Sequence, residues 1–325
     1  MRRIPLAMMI AFSLIIALCL PQKARAGGLP PIRQSGNKVT KTIIGNLVHA
    51  DSWETTGTHA FGVVSMPSTS DNFKLSYVVK DNALNANGAG VMHDGVYQFI
   101  NYMTAGSNMY CFCMEYDMAT WEEKRGDLCD QSLLANAMAY DYTTKKIFGS
   151  FYNKTFSSFE FGRLDFSKKT RETISEIKGR YVAMAIDKEG KLYAISDSGN
   201  LLEVNKGTGD STIVGNTGVL PSTNPSSAAF DYETGELYWT VTDTDNKAGL
   251  YEVDVTTGTA TLIGIMEDGD QIMGLFVNDP ETNPNVPSMP TSFSSVFSKG
   301  STTGTLTFTA PSRTFGGNTL EGSLS

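Results

Sequence analysis

The sequence is poor in the residues that usually carry catalysis and metal binding. It holds three histidines, His49, His59 and His93, in 325 residues. None of them has the spacing of a zinc site or belongs to the motif of a serine hydrolase. His93 alternates with Met92 in a predicted strand, so we expect it to face a channel or the core rather than act as a base. The sequence therefore predicts no catalytic residue, no metal and no cofactor.

Long apolar runs are also scarce, and beyond residue 26 no segment is apolar enough to cross a membrane. The exception is the N-terminus, where Arg2 and Arg3 precede an uncharged run over residues 4–20. Small residues then end the segment at Ala24-Arg25-Ala26. This pattern predicts a signal peptide over residues 1–26, cut before Gly27, and a secreted or cell-surface protein. The run is shorter than the roughly 20 residues of a permanent membrane anchor, which we therefore favour less.

Cysteines are few and cannot all pair. Cys19 lies in the N-terminal segment, where the large Leu18 before it disfavours a lipoprotein. The other three are Cys111, Cys113 and Cys129, an odd number. Cys111 and Cys113 are two apart on a predicted strand, so they share a side and do not easily bond each other. A bridge from Cys129 to either of them, or three buried thiols, is favoured over a metal site.

Positive charge is in deficit. The chain has 26 Lys and Arg against 34 Asp and Glu, a net charge of −8. Cleavage after residue 26 would remove four positive charges and leave −12. Binding to nucleic acid and to anionic lipid depends mainly on Lys and Arg, so we expect neither as a partner.

A repeated turn is the main positive feature. Four aspartates, Asp94, Asp141, Asp187 and Asp231, are spaced by 47, 46 and 44 residues. Each follows a short apolar strand and precedes an apolar or aromatic one. Self-similarity at this period is typical of repeat architectures. Because an active site occurs once, whereas these residues recur in every unit, we interpret them as turn residues.

Each unit contains two further strands, as in Gly249–Asp254 and Ala260–Gly264, and no amphipathic helix. Four antiparallel strands in about 45 residues are typical of a β-propeller blade. Such a sheet is apolar on both faces, so neighbouring blades must cover it. The fold class is therefore all-β, with residues 27–39 as an N-terminal lead and a propeller over residues 40–277.

The ends of the propeller region predict how the ring closes. Gln271–Val277 looks like an inner strand with nothing behind it, and residues 61–66 and 73–79 look like outer strands. Thr40–Gly45 supplies one more strand. Joining both ends makes a composite blade and hides the sheet edges. We favour five blades over six.

Two segments carry a family resemblance. Asp187-Lys-Glu-Gly-Lys-Leu-Tyr and Asp254-Val-Thr-Thr-Gly-Thr-Ala-Thr-Leu-Ile-Gly resemble the repeats of secreted bacterial quinoprotein-like propeller proteins, over about residues 40–277. The resemblance implies the fold. It does not imply a quinone cofactor, because no coherent set of ligands is present.

Residues 278–290 form a Pro- and Asn-rich linker. Residues 291–325, with Gly304-Thr-Leu-Thr-Phe-Thr-Ala-Pro311, resemble the opening of a fibronectin type III domain. Such a sandwich needs about seven strands, so we expect a partial β-sandwich stub, truncated at Ser325 and poorly held.

Two tryptophans are candidate ligand contacts. Trp53 lies in a Gly- and Thr-rich loop, where aromatic residues often bind partners. Trp239 replaces Gly149 and Ala194 at the matching repeat position, which marks an adapted blade; filling a gap between blades is the alternative.

The leading functional hypothesis is an exported, non-catalytic binding or adhesion protein that recognises an extracellular glycan, peptide or protein. One alternative is a carbohydrate-active enzyme that cleaves glycosides, which needs two carboxylates about 5–10 Å apart. A second is a structural spacer of a larger surface protein, which predicts no pocket.

Overall fold

A computed structural model describes residues 40–49, 61–84, 88–105, 108–223, 225–267, 269–277, 291–297 and 304–312. The predicted signal peptide, lead and linker lie outside the described residues, as do Trp53 and His59. Within these ranges, no helix is long and apolar enough to cross a membrane.

The chain forms a five-bladed β-propeller, so the predicted fold class and the favoured blade number are confirmed. Each blade is a four-stranded antiparallel sheet. From the axis outward, blade 1 contains β20 (Asp270–Val277), β1 (Thr42–His49), β2 (Gly62–Pro67) and β3 (Ser76–Lys80). Blade 2 contains β4 (Gly90–His93), β5 (Val96–Ala105), β6 (Asn108–Asp117) and β7 (Glu123–Cys129).

Blades 3 to 5 follow in chain order. Blade 3 contains β8 (Ala135–Asp141), β9 (Lys146–Tyr152), β10 (Phe159–Asp165) and β11 (Thr170–Ile177). Blade 4 contains β12 (Tyr181–Ile186), β13 (Leu192–Ser196), β14 (Asn200–Val204) and β15 (Ser211–Asn216). Blade 5 contains β16 (Ser227–Phe230), β17 (Leu237–Thr242), β18 (Ala248–Val253) and β19 (Ala260–Ile265).

Blade 1 closes the ring as a composite of both ends of the propeller. The C-terminal β20 pairs antiparallel with the N-terminal β1, with Ile43 opposite Val277 and Leu47 opposite Ile272. The inner strands contact one another in the order β4, β8, β12, β16, β20 and back to β4. The predicted composite blade is therefore confirmed, and closure leaves no inner strand without neighbours on both sides.

The core lies between the blades. Every residue of β12, β13, β17 and β20 is buried, so these strands are covered on both faces. This explains why the strands lack the polar alternation of a sheet with one face in water. Burial of apolar surface on both faces is the main stabilising contribution to such a stack.

Three of the four repeated aspartates cap their turns as predicted. The Oδ1 atom of Asp141 accepts hydrogen bonds from the Thr143 amide and hydroxyl, and that of Asp231 accepts one from the Glu233 amide. The Oδ1 atom of Asp187 accepts one from the Lys191 amide. Asp94 differs, because the blade 2 turn has only two residues, Asp94 and Gly95, between His93 and Val96.

The three cysteines of the propeller are thiols in the structure. Cys111 lies opposite Cys129 on β6 and β7, and the Cys113 and Cys129 side chains interact. Cys111 and Cys113 are buried and Cys129 is partly exposed.

Beyond the propeller, β21 (Thr291–Phe297) and β22 (Gly304–Thr309) form an antiparallel hairpin. All six residues of β22 are exposed. A two-stranded sheet is marginal by itself. Its assignment to the fibronectin type III family stays a prediction.

Candidate functional site

The site begins where the repeat is broken. The residue before the turn aspartate is Ile186 in blade 4 and Phe230 in blade 5, but His93 in blade 2 and Tyr140 in blade 3. Blades 2 and 3 are neighbours, and the two rings stack with centroids 3.7 Å apart and planes within 5°. The stack is therefore a feature of one blade interface and not of the repeat.

A chain of hydrogen bonds holds His93 in place. Its Nε2 lies 3.1 Å from Gln98 Oε1, and Gln98 Nε2 donates to Glu115 Oε2 at 2.6 Å. Because the Gln98 amide nitrogen is turned to Glu115, the atom that faces His93 is an acceptor. The Nε2 of His93 can therefore donate to Gln98 Oε1. His93 is buried, and its Nε2 is paired with Gln98.

The other imidazole nitrogen faces Asp94. His93 Nδ1 lies 3.5 Å from Asp94 Oδ2, which also accepts a hydrogen bond from the Tyr140 hydroxyl at 2.9 Å. The interaction with His93 and the bond from Tyr140 lower the pKa of Asp94, against the opposing effect of partial burial. Burial, followed by the bond to Asp94, raises the pKa of Tyr140, so its hydroxyl stays protonated and donates.

Backbone geometry places the Asp94 carboxylate toward blade 3. Asp94 has a φ of 46° and Gly95 a φ of 77°, so both residues of the turn are left-handed. This is the geometry of a tight two-residue hairpin, in which Asp-Gly is a preferred pair. In this shorter turn the Asp94 side chain does not have the capping role that Asp141 and Asp231 have in theirs.

A polar cleft of about 620 Å³ opens beside the stack, between blades 2 and 3. His93 and Gln98 contribute its blade 2 side, and Tyr140 lies at the boundary. The blade 3 side carries hydroxyl, basic and acidic side chains, among them Thr144, Lys145, Lys146, Arg163, Asp165, Thr170, Arg171 and Glu172. The volume falls in the range of about 300–1,000 Å³ that is typical of small-molecule sites.

The carboxylates of the cleft are ion-paired. Glu172 lies 2.6 Å from Arg163, and Asp165 lies 2.9 Å from Lys168. Arg171 pairs with Glu160 at 2.5 Å and also donates to the Tyr152 carbonyl at 3.0 Å. A paired carboxylate is stabilised in its charged form, which is the opposite of what a general acid requires.

The axis of the propeller offers far less space. Its cavity is about 50 Å³ and is lined by the inner strands, largely with apolar side chains such as Met138, Met184 and Leu275. Tyr142 packs edge-on against Tyr140 and Tyr232, with centroids 4.8 and 5.4 Å apart. Such a volume holds water at most. The interblade cleft is therefore the candidate site.

Comparisons with known proteins give structural matches at low identity. No protein-family model matches the sequence, and no curated protein matches it. Among solved structures, TolB from Acinetobacter baumannii has a TM-score of 0.42 at 12% identity, over 74% of this chain and 67% of that one. A gluconolactonase from Xanthomonas campestris has a TM-score of 0.34 at 14% identity, over 55% and 65% of the two chains.

An auxiliary nutrient binding protein from Bacteroides ovatus has a TM-score of 0.38 at 11% identity. The match covers 66% of this chain and about half, 49%, of that one. The similarity is one of fold alone.

The two predicted tryptophan contacts have different outcomes. Trp53 lies outside the described residues. The Trp239 side chain is fully buried, and its indole N–H donates to Ser226 Oγ at 2.7 Å. Since no part of the ring is open to solvent, the structure favours the gap-filling alternative for Trp239.

The sequence analysis did not predict the cleft, although residues that depart from the repeat mark its position. His93, Tyr140 and Lys145 depart from the residues at matching positions of blades 4 and 5, just as Trp239 departs from Gly149 and Ala194. Within the described part of the chain, no group of three His, Cys, Asp or Glu side chains could hold a metal ion.

Proposed function

We propose that this protein is an exported, non-catalytic binding protein that holds a glycan in the cleft between blades 2 and 3. The observation that carries the proposal is the stack of His93 on Tyr140 at the edge of a 620 Å³ polar cleft. Export rests on the signal-like pattern of residues 1–26.

The lining suits a sugar better than an apolar ligand. Sugars present hydroxyl groups in fixed directions and apolar patches of C–H bonds between them. Gln98, Thr144 and Thr170 offer hydrogen-bonding groups, and Tyr140 offers a partly exposed aromatic ring. A small number of polar groups placed around an aromatic side chain is enough to fix the orientation of a ligand. The stacked His93 and the bond to Asp94 hold the Tyr140 ring in one position, which reduces the entropy lost on binding.

Two features support binding over the alternatives. Asp165 and Glu172 line the cleft, but each is ion-paired, Asp165 with Lys168 and Glu172 with Arg163, and neither is free to serve as one of the two carboxylates of glycoside cleavage. A structural spacer has no need of a cleft of this size.

The test is affinity electrophoresis of the full chain through gels that contain soluble polysaccharides, followed by titration calorimetry on those that retard it. We expect Tyr140→Ala to weaken binding about tenfold or more, as is usual for an aromatic anchor. The matched control is Tyr110→Ala, because Tyr110 is exposed but lies on another surface depression, with Met109 and Phe156. Trp53→Ala tests the second predicted contact in the same gels.

The proposal fails if Tyr140→Ala and Tyr110→Ala, both with unchanged thermal unfolding, bind as the parent protein does. It also fails if no polysaccharide retards the parent protein.

A further inference from the structure

The cleft has a surplus of positive charge. Of its basic side chains, Arg163 and Arg171 are ion-paired with Glu172 and Glu160. Lys145 and Lys146 are exposed, and within the described residues neither ammonium lies within 4.0 Å of a carboxylate. The whole chain has a net charge of −8. A locally positive cleft on an acidic protein therefore needs an explanation.

Blade 5 shows what the same turn looks like without this surplus. The turns after Asp141 and Asp231 share their hydrogen bonds, including the closing bond from Lys145 N to Asp141 O and from Gly235 N to Asp231 O, both 2.7 Å. Blade 5 has Gly235 and then Glu236 where blade 3 has Lys145 and Lys146. At the position of Lys146, blade 4 also has a lysine, Lys191, but that lysine is ion-paired with Glu203 at 2.8 Å.

Lys145 is also in a conformation that favours glycine. Its φ is 56°, and that of Gly235 is 77°. A non-glycine residue in the left-handed region is strained, and such strain often persists at functional sites. Lys169 has a φ of 54° in the next turn, but it ion-pairs with Asp127 at 3.3 Å. Among the described residues, Lys145 forms no such ion pair.

The turn holds the two lysines firmly. Asp141 accepts hydrogen bonds from Thr143 and Thr144 and pairs with Lys206 at 2.5 Å, so the backbone that carries Lys145 is fixed. The Lys145 ammonium lies 5.2 Å from the centre of the Tyr142 ring. Lys145 borders the cleft that contains Tyr140, whereas Tyr142 lines the axial cavity.

We propose that the ligand is an anionic saccharide and that Lys145 and Lys146 bind its charged group. This inference rests on the proposed function, since it names the class of glycan that the cleft takes. Carboxylate and sulfate groups share the required chemistry, because an ammonium binds either through charge-assisted hydrogen bonds.

The experiment measures the affinity of the full chain for three probes by calorimetry: trigalacturonic acid, a heparin-derived tetrasaccharide and neutral maltotriose. The cleft variant, Lys145→Gly with Lys146→Glu, gives the blade 3 turn the two residues that blade 5 has at these positions. The control variant, Lys178→Gln with Lys188→Glu, changes the net charge by the same amount. Both lysines are exposed and lie away from the cleft, and Lys188 is in the equivalent turn of blade 4.

We expect an acidic probe to bind the parent protein at least about tenfold more tightly than maltotriose, a difference of about 1.4 kcal/mol. The cleft variant should lose that difference and the control variant should keep it. Lys145→Gly alone should weaken acidic binding yet unfold at the same or a higher temperature, because glycine relieves the left-handed backbone. Preference for trigalacturonic acid assigns a carboxylate, and preference for heparin assigns a sulfate.

Equal affinity for acidic and neutral probes, or full acidic binding by the cleft variant, overturns this inference. In that case the proposed function still stands if Tyr140→Ala abolishes binding. If no saccharide binds the parent protein at all, the proposed function fails first.

Discussion

The ion pair between Asp141 and Lys206 allows a quantitative test of how the blades are joined. Lys206 Nζ of blade 4 lies 2.5 Å from Asp141 Oδ2 of blade 3, and the Asp141 side chain is fully buried. Lys206→Met keeps most of the aliphatic stem but removes the charge. We expect it to destabilise the propeller by about 3 kcal/mol at pH 7, since breaking a buried pair leaves an uncompensated charge.

The magnitude follows from the pKa of Asp141. Burial is the largest single influence and raises that pKa, but Lys206 and the threonine hydrogen bonds together lower it from 3.8 to about 2. A return from about 2 to the unfolded value alone corresponds to about 2.5 kcal/mol. Without Lys206 the effect of burial has less to oppose it, so we expect the pKa to rise further.

The pH dependence has a defined sign. Because the folded-state pKa of Asp141 is depressed, its stabilising contribution is complete above about pH 4 and is lost as the pH falls toward 2. The loss caused by Lys206→Met should therefore be constant from pH 7 to 5 and should shrink below pH 4.

Urea unfolding followed by tryptophan fluorescence at pH 7, 5 and 3 provides the measurement. Lys191→Met is the matched control, because Lys191 pairs with Glu203 at 2.8 Å while both side chains are 45% exposed. An exposed pair contributes less than about 1 kcal/mol. If Lys206→Met costs no more than Lys191→Met at pH 7, or costs as much at pH 3 as at pH 7, the reasoning is refuted.

Three further outcomes are expected. Trp239→Ala should lower the free energy of unfolding by about 3–5 kcal/mol, because it empties a fully buried site; a loss below 1 kcal/mol in calorimetry would contradict the burial. Gly274→Ala should destabilise more than Gly95→Ala in thermal melts, since both are left-handed but only the Gly274 Cβ would meet Tyr97, at 2.6 Å. In the reduced native protein a maleimide should label Cys129 fastest, whereas Cys111 and Cys113 should react only after unfolding; equal labelling of all three would disprove this.

The ring could be predicted from the sequence because its determinants are local and repeated. Each blade carries its own turns and strands, and the unmatched segments at the two ends had no partners except each other. Residues 271–277 and 40–45 therefore had to share a blade, and their pairing in β20 and β1 confirms this. The repeat predicted Asp141 and Asp231 as turn residues for the same reason.

The cleft could not be predicted in this way, because it depends on contacts between blades. His93 and Tyr140 are 47 residues apart, one repeat, and the alignment places them at the same position. It does not show that the two rings stack. The alignment also treated Asp94 as equivalent to Asp141, although the blade 2 turn is two residues shorter and turns its aspartate toward Tyr140. For Trp239, the departure from the repeat was visible but the direction of the side chain was not.

The two turns that flank the stack also differ in length. The blade 2 turn has two residues between its strands, and the blade 3 turn has four, Tyr142 to Lys145. Thr144, Lys145 and Lys146 of the longer turn are exposed beside the stack of His93 and Tyr140. Since the added residues would lie beside the blade 3 turn, we expect that lengthening the blade 2 turn to four residues would narrow the cleft without altering any of its lining residues.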